Sequence, residues 1–250
     1  ATAKHVELCL EAGIDMLWIG ARTTVNPFYV QEIAEALSGV DIPVFVKNPI
    51  HPELSLWIGA LERLNKKGIK NLAAIHRGFF TYESSAFRNE PKWEIPIELK
   101  RQLPKLPIIC DPSHIVGNKT LIPEISQIAM DLDMNGLMIE THNNPSEALS
   151  DSEQQITPIK LKSILDDLVF RKKTFEDEVL IFELNTLRKK IDKLDQNIVE
   201  TLNLRTELVE EIAKFKLENN LTIFQLERWF EILYKRKEQA INLGMDPKMI

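Results

Sequence analysis

The sequence predicts an α/β fold, with strands and helices alternating around a parallel sheet, followed by an all-helical region. Five short apolar runs carry the first half of that prediction. Residues 16–19, 43–46, 72–75, 107–109 and 136–139 end at intervals of 27 to 34 residues, the period of a βα unit. The runs are continuously apolar rather than alternating, the pattern of strands covered on both faces. A change of punctuation carries the second half. Neither Pro nor Gly occurs between Pro158 and Gly244, and an apolar stripe spaced in threes and fours takes over there.

The chain opens on a helix over 3–12, before the first strand. Helices over 28–38 and 53–67 follow the first and second strands, and a long loop joins the third to the fourth. Helices over 120–132 and 158–169 flank the fifth. Pattern alone leaves an open doubly wound sheet and part of a (β/α)8 barrel both in play; five units are too few to close a barrel. Beyond residue 170, Leu180, Leu184, Leu187, Ile191, Leu194, Ile198, Leu202, Leu208 and Ile212 mark one long helix ending at Asn219-Asn220. At 1.5 Å per residue it spans about 60 Å and needs partner helices. A second helix is expected over 225–242 up to Gly244, and Asp246-Pro247 reads as the cap and first residue of a third. The expected domains are 1–170 and 180–250, with 171–179 as linker.

Composition narrows the class. The chain has 250 residues, 44% apolar and 27% charged, as in ordinary globular proteins. It has no apolar run of the roughly 18 residues a membrane helix needs, and no charged-then-apolar leader opens it. A net charge of −6 argues against a nucleic-acid partner. Cys9 and Cys110 form no disulfide framework and no CxxC motif, which points to the reducing cytoplasm. From Arg171 onward 15 Lys and Arg balance 15 Asp and Glu, so the acidic excess lies in the first 170 residues.

Each strand exit carries a functional side chain: Arg22, Lys47, Arg77, the Asp111-Pro112-Ser113-His114 stretch, and Glu140. Parallel sheets build their sites at these carboxyl ends. Three cations suit an anionic ligand and a His/Glu pair suits a metal. Taken singly, each has a plainer reading, as a structural ion pair, a solvated loop residue or a hydrogen-bonded histidine. The constellation favours a site. Cys110 reads as core, and His142 as a support for Glu140 or a loop residue.

Ile19-Gly20-Ala21-Arg22-Thr23-Thr24, Val46-Lys47-Asn48-Pro49, His76-Arg77-Gly78 and Cys110-Asp111-Pro112-Ser113-His114 closely resemble 3-deoxy-D-arabino-heptulosonate 7-phosphate (DAHP) synthase. Glu140-Thr141-His142 and Ser150-Asp151-Ser152-Glu153-Gln154-Gln155 extend the resemblance. The separations, 26 from His114 to Glu140 and 11 from Glu140 to Asp151, fit the variety related to 3-deoxy-octulosonate 8-phosphate synthase. The resemblance covers nearly all of 1–170 and implies strands four to eight of a (β/α)8 TIM barrel. It implies that Arg22, Lys47 and Arg77 hold phosphoenolpyruvate (PEP), with Asp111 at the substrate site and Lys47 also a candidate proton donor. His114, Glu140 and Asp151 would bind a divalent metal, Mn²⁺ first, with Fe²⁺, Co²⁺ or Zn²⁺ as alternatives. The second substrate would be erythrose 4-phosphate. The chemistry agrees, since guanidinium forks grip phosphate and a mixed N/O set suits borderline ions.

Leu187-Arg188-Lys189-Lys190-Ile191-Asp192-Lys193-Leu194-Asp195 resembles the opening of the all-helical chorismate mutase, with Arg205, Lys216 and Arg228 at its binding positions. This resemblance implies chorismate or prephenate as ligand, and an intertwined homodimer in which Arg188 reaches the partner's site. There are departures. The metal cysteine and the Lys-Pro-Arg-Thr loop of the synthase family fall before Ala1, so this chain is expected to be the middle of a longer protein that does not close its barrel alone. The mutase's last helix is expected beyond Ile250. Trp229 stands where the mutase has a Glu, and Gln225 replaces an acidic residue. The alternatives are therefore an octulosonate phosphate synthase, against which Asp-Pro-Ser-His speaks, and a helical region that is a non-catalytic regulatory and dimerising module with allosteric control of the barrel.

Overall fold

The five apolar runs become β1 (Leu17–Ile19), β2 (Val44–Lys47), β3 (Leu72–His76), β4 (Ile108–Cys110) and β5 (Gly136–Leu137), all parallel. They lie in the order β1-β2-β3-β4-β5. Each strand is laid beside its predecessor with no reversal of direction, as in a barrel wall; a doubly wound sheet reverses its order at a switch point. The computed structural model describes the chain except for residues 83, 84, 173, 175 and 250, so two residues of the expected linker lie outside the described ones. The chain divides into two units, Ala1–Lys172 and Lys173–Ile250.

In the first unit the helices run in order: α1 (Ala3–Glu11), α2 (Ala21–Thr24), α3 (Pro27–Ala36), α4 (Leu54–Lys66), α5 (Glu94–Gln102), α6 (Pro112–Val116), α7 (Ile122–Asp131) and α8 (Pro158–Asp167). Successive strand residues face opposite ways. Val44, Val46, Ala74, Ile108 and Cys110 point to the helical layer and are buried with Ile33, Trp57, Leu64 and Ile125. The Trp57 indole N–H donates to the Val46 carbonyl at 3.0 Å, stitching α4 to β2. On the opposite face Ala73 and Ile75 are buried while Trp18 of edge strand β1 is half exposed.

The connection between β3 and β4 departs from expectation. The long loop expected between β3 and β4 contains α5. Pro91 and Pro96 bracket its start and disguise it, yet a proline in the first helical turn forfeits no internal hydrogen bond.

In the second unit α9 (Glu178–Glu218) runs 41 residues, its first amides capped by the Asp177 carboxylate. Asn220, at a φ of 53°, turns the chain into α10 (Leu226–Asn242). At Asp246-Pro247 the expected third helix is a single 3-10 turn, Pro247–Met249. No residue of α9 is buried, and its apolar stripe is exposed apart from the half-buried Leu184. Among the described residues no helix is long and apolar enough to cross a membrane.

Candidate functional site

The site grows from the carboxyl ends of the strands. Lys47 is the last residue of β2, and its carbonyl accepts from the Thr24 hydroxyl at 2.8 Å, which ties α2 to the strand. Its ammonium donates to Asp111 Oδ2 at 2.8 Å, and the two side chains are 10% and 0% exposed. Asp111 follows β4 and caps α6: Oδ1 accepts from the His114 amide at 3.1 Å, with Pro112 at the first helical position. Asp-Pro-Ser-His is thus a helix start, and the short helix swings the His114 ring over the Asp111 carboxylate, Nδ1 lying 2.9 Å from Oδ2. Burial pushes the Asp111 carboxyl up, but the His114 hydrogen bond and the Lys47 charge outweigh it and hold it below its usual range.

With Nδ1 so engaged, His114 Nε2 faces Glu140 Oε1 at 3.7 Å. Glu140 sits beyond β5, its amide donating to Ser113 Oγ at 3.0 Å. The chain then doubles back. Ile156 N–H donates to the Glu140 carbonyl at 3.2 Å, and a parallel bridge joins Thr141 to Ile156. That return brings Asp151, in the left-handed region at φ 48°, beside the pair. One ligand atom each from His114, Glu140 and Asp151 lie within 4.8 Å of one another. One imidazole nitrogen and two carboxylates, the imidazole backed by a third carboxylate, fit a divalent transition ion. The Arg88 hydrogen bond chiefly holds the Asp151 carboxyl below its usual range.

Arg77 follows β3, and its guanidinium donates to Asn89 Oδ1 at 2.8 Å. Burial lowers its pKa, opposed by the charge of Asp111, while Arg88 and Arg22 lower it further. Arg22 is exposed and has no hydrogen bond or ion pair among the described residues, yet lies close enough to bear electrostatically on Arg77 and Asp151. Arg22, Lys47, Arg77, Asp111, His114, Glu140 and Asp151 therefore gather at one end of the sheet.

Four further residues organise this end. Asn48 accepts from the Arg77 amide at 2.7 Å and donates to the Gly78 carbonyl at 2.8 Å. Asn89 links Arg77 to the His114 carbonyl, donating to it at 2.6 Å. Arg88 and Gln154 contact Asp151 and Glu140 respectively, each at 2.7 Å. Asn48 and Gln154 lie inside the quoted motifs; Arg88 and Asn89 sit in the β3–β4 connection with no sequence signal.

In the second unit Arg188, Arg205 and Lys216 lie on α9 and Arg228 on α10. Lys216 donates to the Ile223 carbonyl at 2.9 Å and to Gln225 Oε1 at 3.1 Å, beside a groove of about 480 Å³ lined partly by Ile212, Phe215 and Leu221. Arg228 pairs with Glu231 at 2.5 Å. Arg188 stands 17 residues before Arg205, about 25 Å along the helix, so one copy of α9 does not bring the two together.

A one-directional β/α wall with cations and carboxylates collected at its strand exits is the architecture of a barrel enzyme. Residues 4–174 match the family model for DAHP synthetase I, and 187–250 that for chorismate mutase type II. The chain belongs to the DAHP synthetase I family and carries a chorismate mutase type II domain after it. It is 25% identical over 154 residues to the phospho-2-dehydro-3-deoxyheptonate aldolase of Thermotoga maritima, covering 62% of this chain and 44% of the relative. It is 33% identical over 70 residues to the 2-dehydro-3-deoxyphosphooctonate aldolase of Francisella philomiragia, covering 24% and 26%. A truncated 3-deoxy-D-arabino-heptulosonate 7-phosphate synthase from Thermotoga maritima superposes with a TM-score of 0.57 at 25% identity, covering 66% of this chain and 60% of that one. The chain thus spans under half the length of the Thermotoga aldolase.

Proposed function

We propose that the first unit condenses phosphoenolpyruvate with erythrose 4-phosphate to give DAHP and phosphate, a step of aromatic amino-acid biosynthesis on the shikimate pathway. The observation that carries it is that three cations, Arg22, Lys47 and Arg77, gather beside the His114, Glu140 and Asp151 cluster, with Asp111 bonded to both Lys47 and His114. Arg22 and Arg77 offer planar forks to phosphate and Lys47 a point charge. A divalent metal at the cluster, Mn²⁺ first among Fe²⁺, Co²⁺ and Zn²⁺, supplies Lewis acidity to the aldehyde oxygen when bound. C3 of PEP bonds to the aldehyde carbon, Lys47 gives a proton to the resulting oxygen, water adds at C2 and returns a proton to Lys47, and the C2–O bond to phosphate breaks to leave a keto group at C2. Asp111 serves the substrate by aiming the Lys47 ammonium. Two free cysteines support a reducing cytoplasmic setting.

The test is PEP consumption by protein expressed from its native reading frame, with erythrose 4-phosphate or arabinose 5-phosphate as acceptor. Turnover with erythrose 4-phosphate that EDTA abolishes and Mn²⁺ restores is expected. Turnover untouched by EDTA sinks the metal assignment. Preference for arabinose 5-phosphate selects the second reading, an octulosonate phosphate synthase, which the Francisella likeness supports.

For the second unit we propose rearrangement of chorismate to prephenate within a homodimer. The reaction needs placed cations and no covalent chemistry. Arg205, Lys216 and Arg228 supply them from one copy, and Arg188 from the other because of its distance along α9. A unit that binds prephenate without turnover, and so regulates the barrel, is the alternative favoured by Trp229. Mutase turnover lost in Arg205→Ala supports catalysis; binding without turnover in the parent protein supports the sensor.

A further inference from the structure

Gln154 is a buried amide, 1% exposed, whose side chain reaches the Glu140 carboxylate of the metal-ligand cluster. Its Nε2 donates to Glu140 Oε2 at 2.7 Å, and its Oε1 accepts from Arg88 Nη1 at 2.7 Å. The same Arg88 nitrogen donates to Asp151 Oδ1 at 2.7 Å. The amide has only one workable orientation here, since a guanidinium only donates and a carboxylate only accepts. Arg88 is seated in turn: its amide donates to the Val116 carbonyl at 3.3 Å, and its stem lies where a Cβ on Gly117 would come within 2.6 Å.

We infer that Gln154, held by Arg88, is a positioning residue that aligns Glu140 and Asp151 for the metal; this rests on the metal reading proposed above. Two carboxylates crowded around one point repel each other. The Arg88 charge offsets that repulsion. The Gln154 amide occupies Glu140 Oε2 and leaves Oε1 turned toward His114 Nε2, 3.7 Å away. Without the amide, Glu140 keeps its backbone place but loses its side-chain restraint, and the cluster must reorganise on every binding event. Hydrogen-bonded supports of metal-ligating carboxylates typically change affinity ten- to a hundredfold.

The test is Mn²⁺ titration of the protein expressed from its native reading frame, following loss of the free-ion electron paramagnetic resonance signal. Gln154→Met keeps the length and removes both polar ends; Gln154→Asn keeps an amide too short to span Arg88 and Glu140. Each is expected to raise the Mn²⁺ dissociation constant about ten- to a hundredfold, with the thermal midpoint of the EDTA-treated chain unchanged. An unchanged dissociation constant in either folded variant overturns the inference. Loss of the folded state in both also overturns it, by making Gln154 a structural residue. A parent chain that takes up no Mn²⁺ fails the metal reading itself, whereas a binding parent with equally binding variants fails this inference alone.

Discussion

Lys47 and Asp111 share a buried 2.8 Å ion pair, and such pairs are most sensitive to losing one partner. Lys47→Met leaves the Asp111 carboxylate with His114 alone, and we expect a loss of about 3 kcal/mol in urea unfolding followed by tryptophan fluorescence. His76 is the second sensitive residue. It is fully buried among Trp57, Phe79 and Trp93, with the Pro91 backbone as a polar neighbour of its ring. Burial, opposed by the Asp111 charge, pulls its pKa from 6.5 to about 3. The unfolded chain therefore takes up a proton below pH 6.5 that the folded chain refuses until about pH 3. Stability is complete above pH 6.5 and falls as pH drops through that window, by a total on the order of 5 kcal/mol. In His76→Phe the slope of stability between pH 6.5 and 4.5 should flatten; an unaltered slope assigns the acid sensitivity elsewhere.

At the scale of elements, two glycines seat the β3–β4 connection. Gly78 and Gly117 have φ of +75° and +64°, and a Cβ on either would lie 2.6 Å from Asn89 or Arg88 atoms. Gly117→Ala should cost about 1–3 kcal/mol and displace Arg88. Gly13, at φ +72° with open space around it, is the control. Gly13→Ala should cost only the conformational price of about 1 kcal/mol. Equal losses in urea melts of the two variants would remove the close approach from the account. The strands, α4, α7 and α9 were legible because their residues repeat at regular spacing. Helix α5 was not, since Pro96 interrupts its pattern, and Arg88 and Asn89 were not, since their partners lie across the fold rather than nearby in sequence.

For the molecule as a whole, the exposed stripe of α9 is the outstanding debt to solvent. Leu187, Ile191, Leu194 and Ile198 are each more than half exposed on a helix about 60 Å long. Burying one such side chain contributes about 1.5–3 kcal/mol, so a second copy of the helix is the occupant the proposed dimer supplies. Sedimentation equilibrium should give twice the chain mass, and Leu194→Lys with Ile198→Lys should return it to the single-chain value. A mass unaffected by these charges excludes the stripe as the interface.

The amino-acid sequence by itself determined what is periodic or local. The βα recurrence, the long helix, and the side chains that must emerge at the strand exits follow from spacing and from short motifs such as the Asp111-Pro112 helix start. Tertiary structure alone decided what depends on distant segments meeting. It set the strand order that distinguishes a barrel wall from a doubly wound sheet, the Lys47–Asp111 pair across 64 positions, and the return of the chain that carries Asp151 and Gln154 to Glu140. Hydrogen bonds and ion pairs act over a few ångströms, and no spacing rule encodes which residues the fold will bring that close.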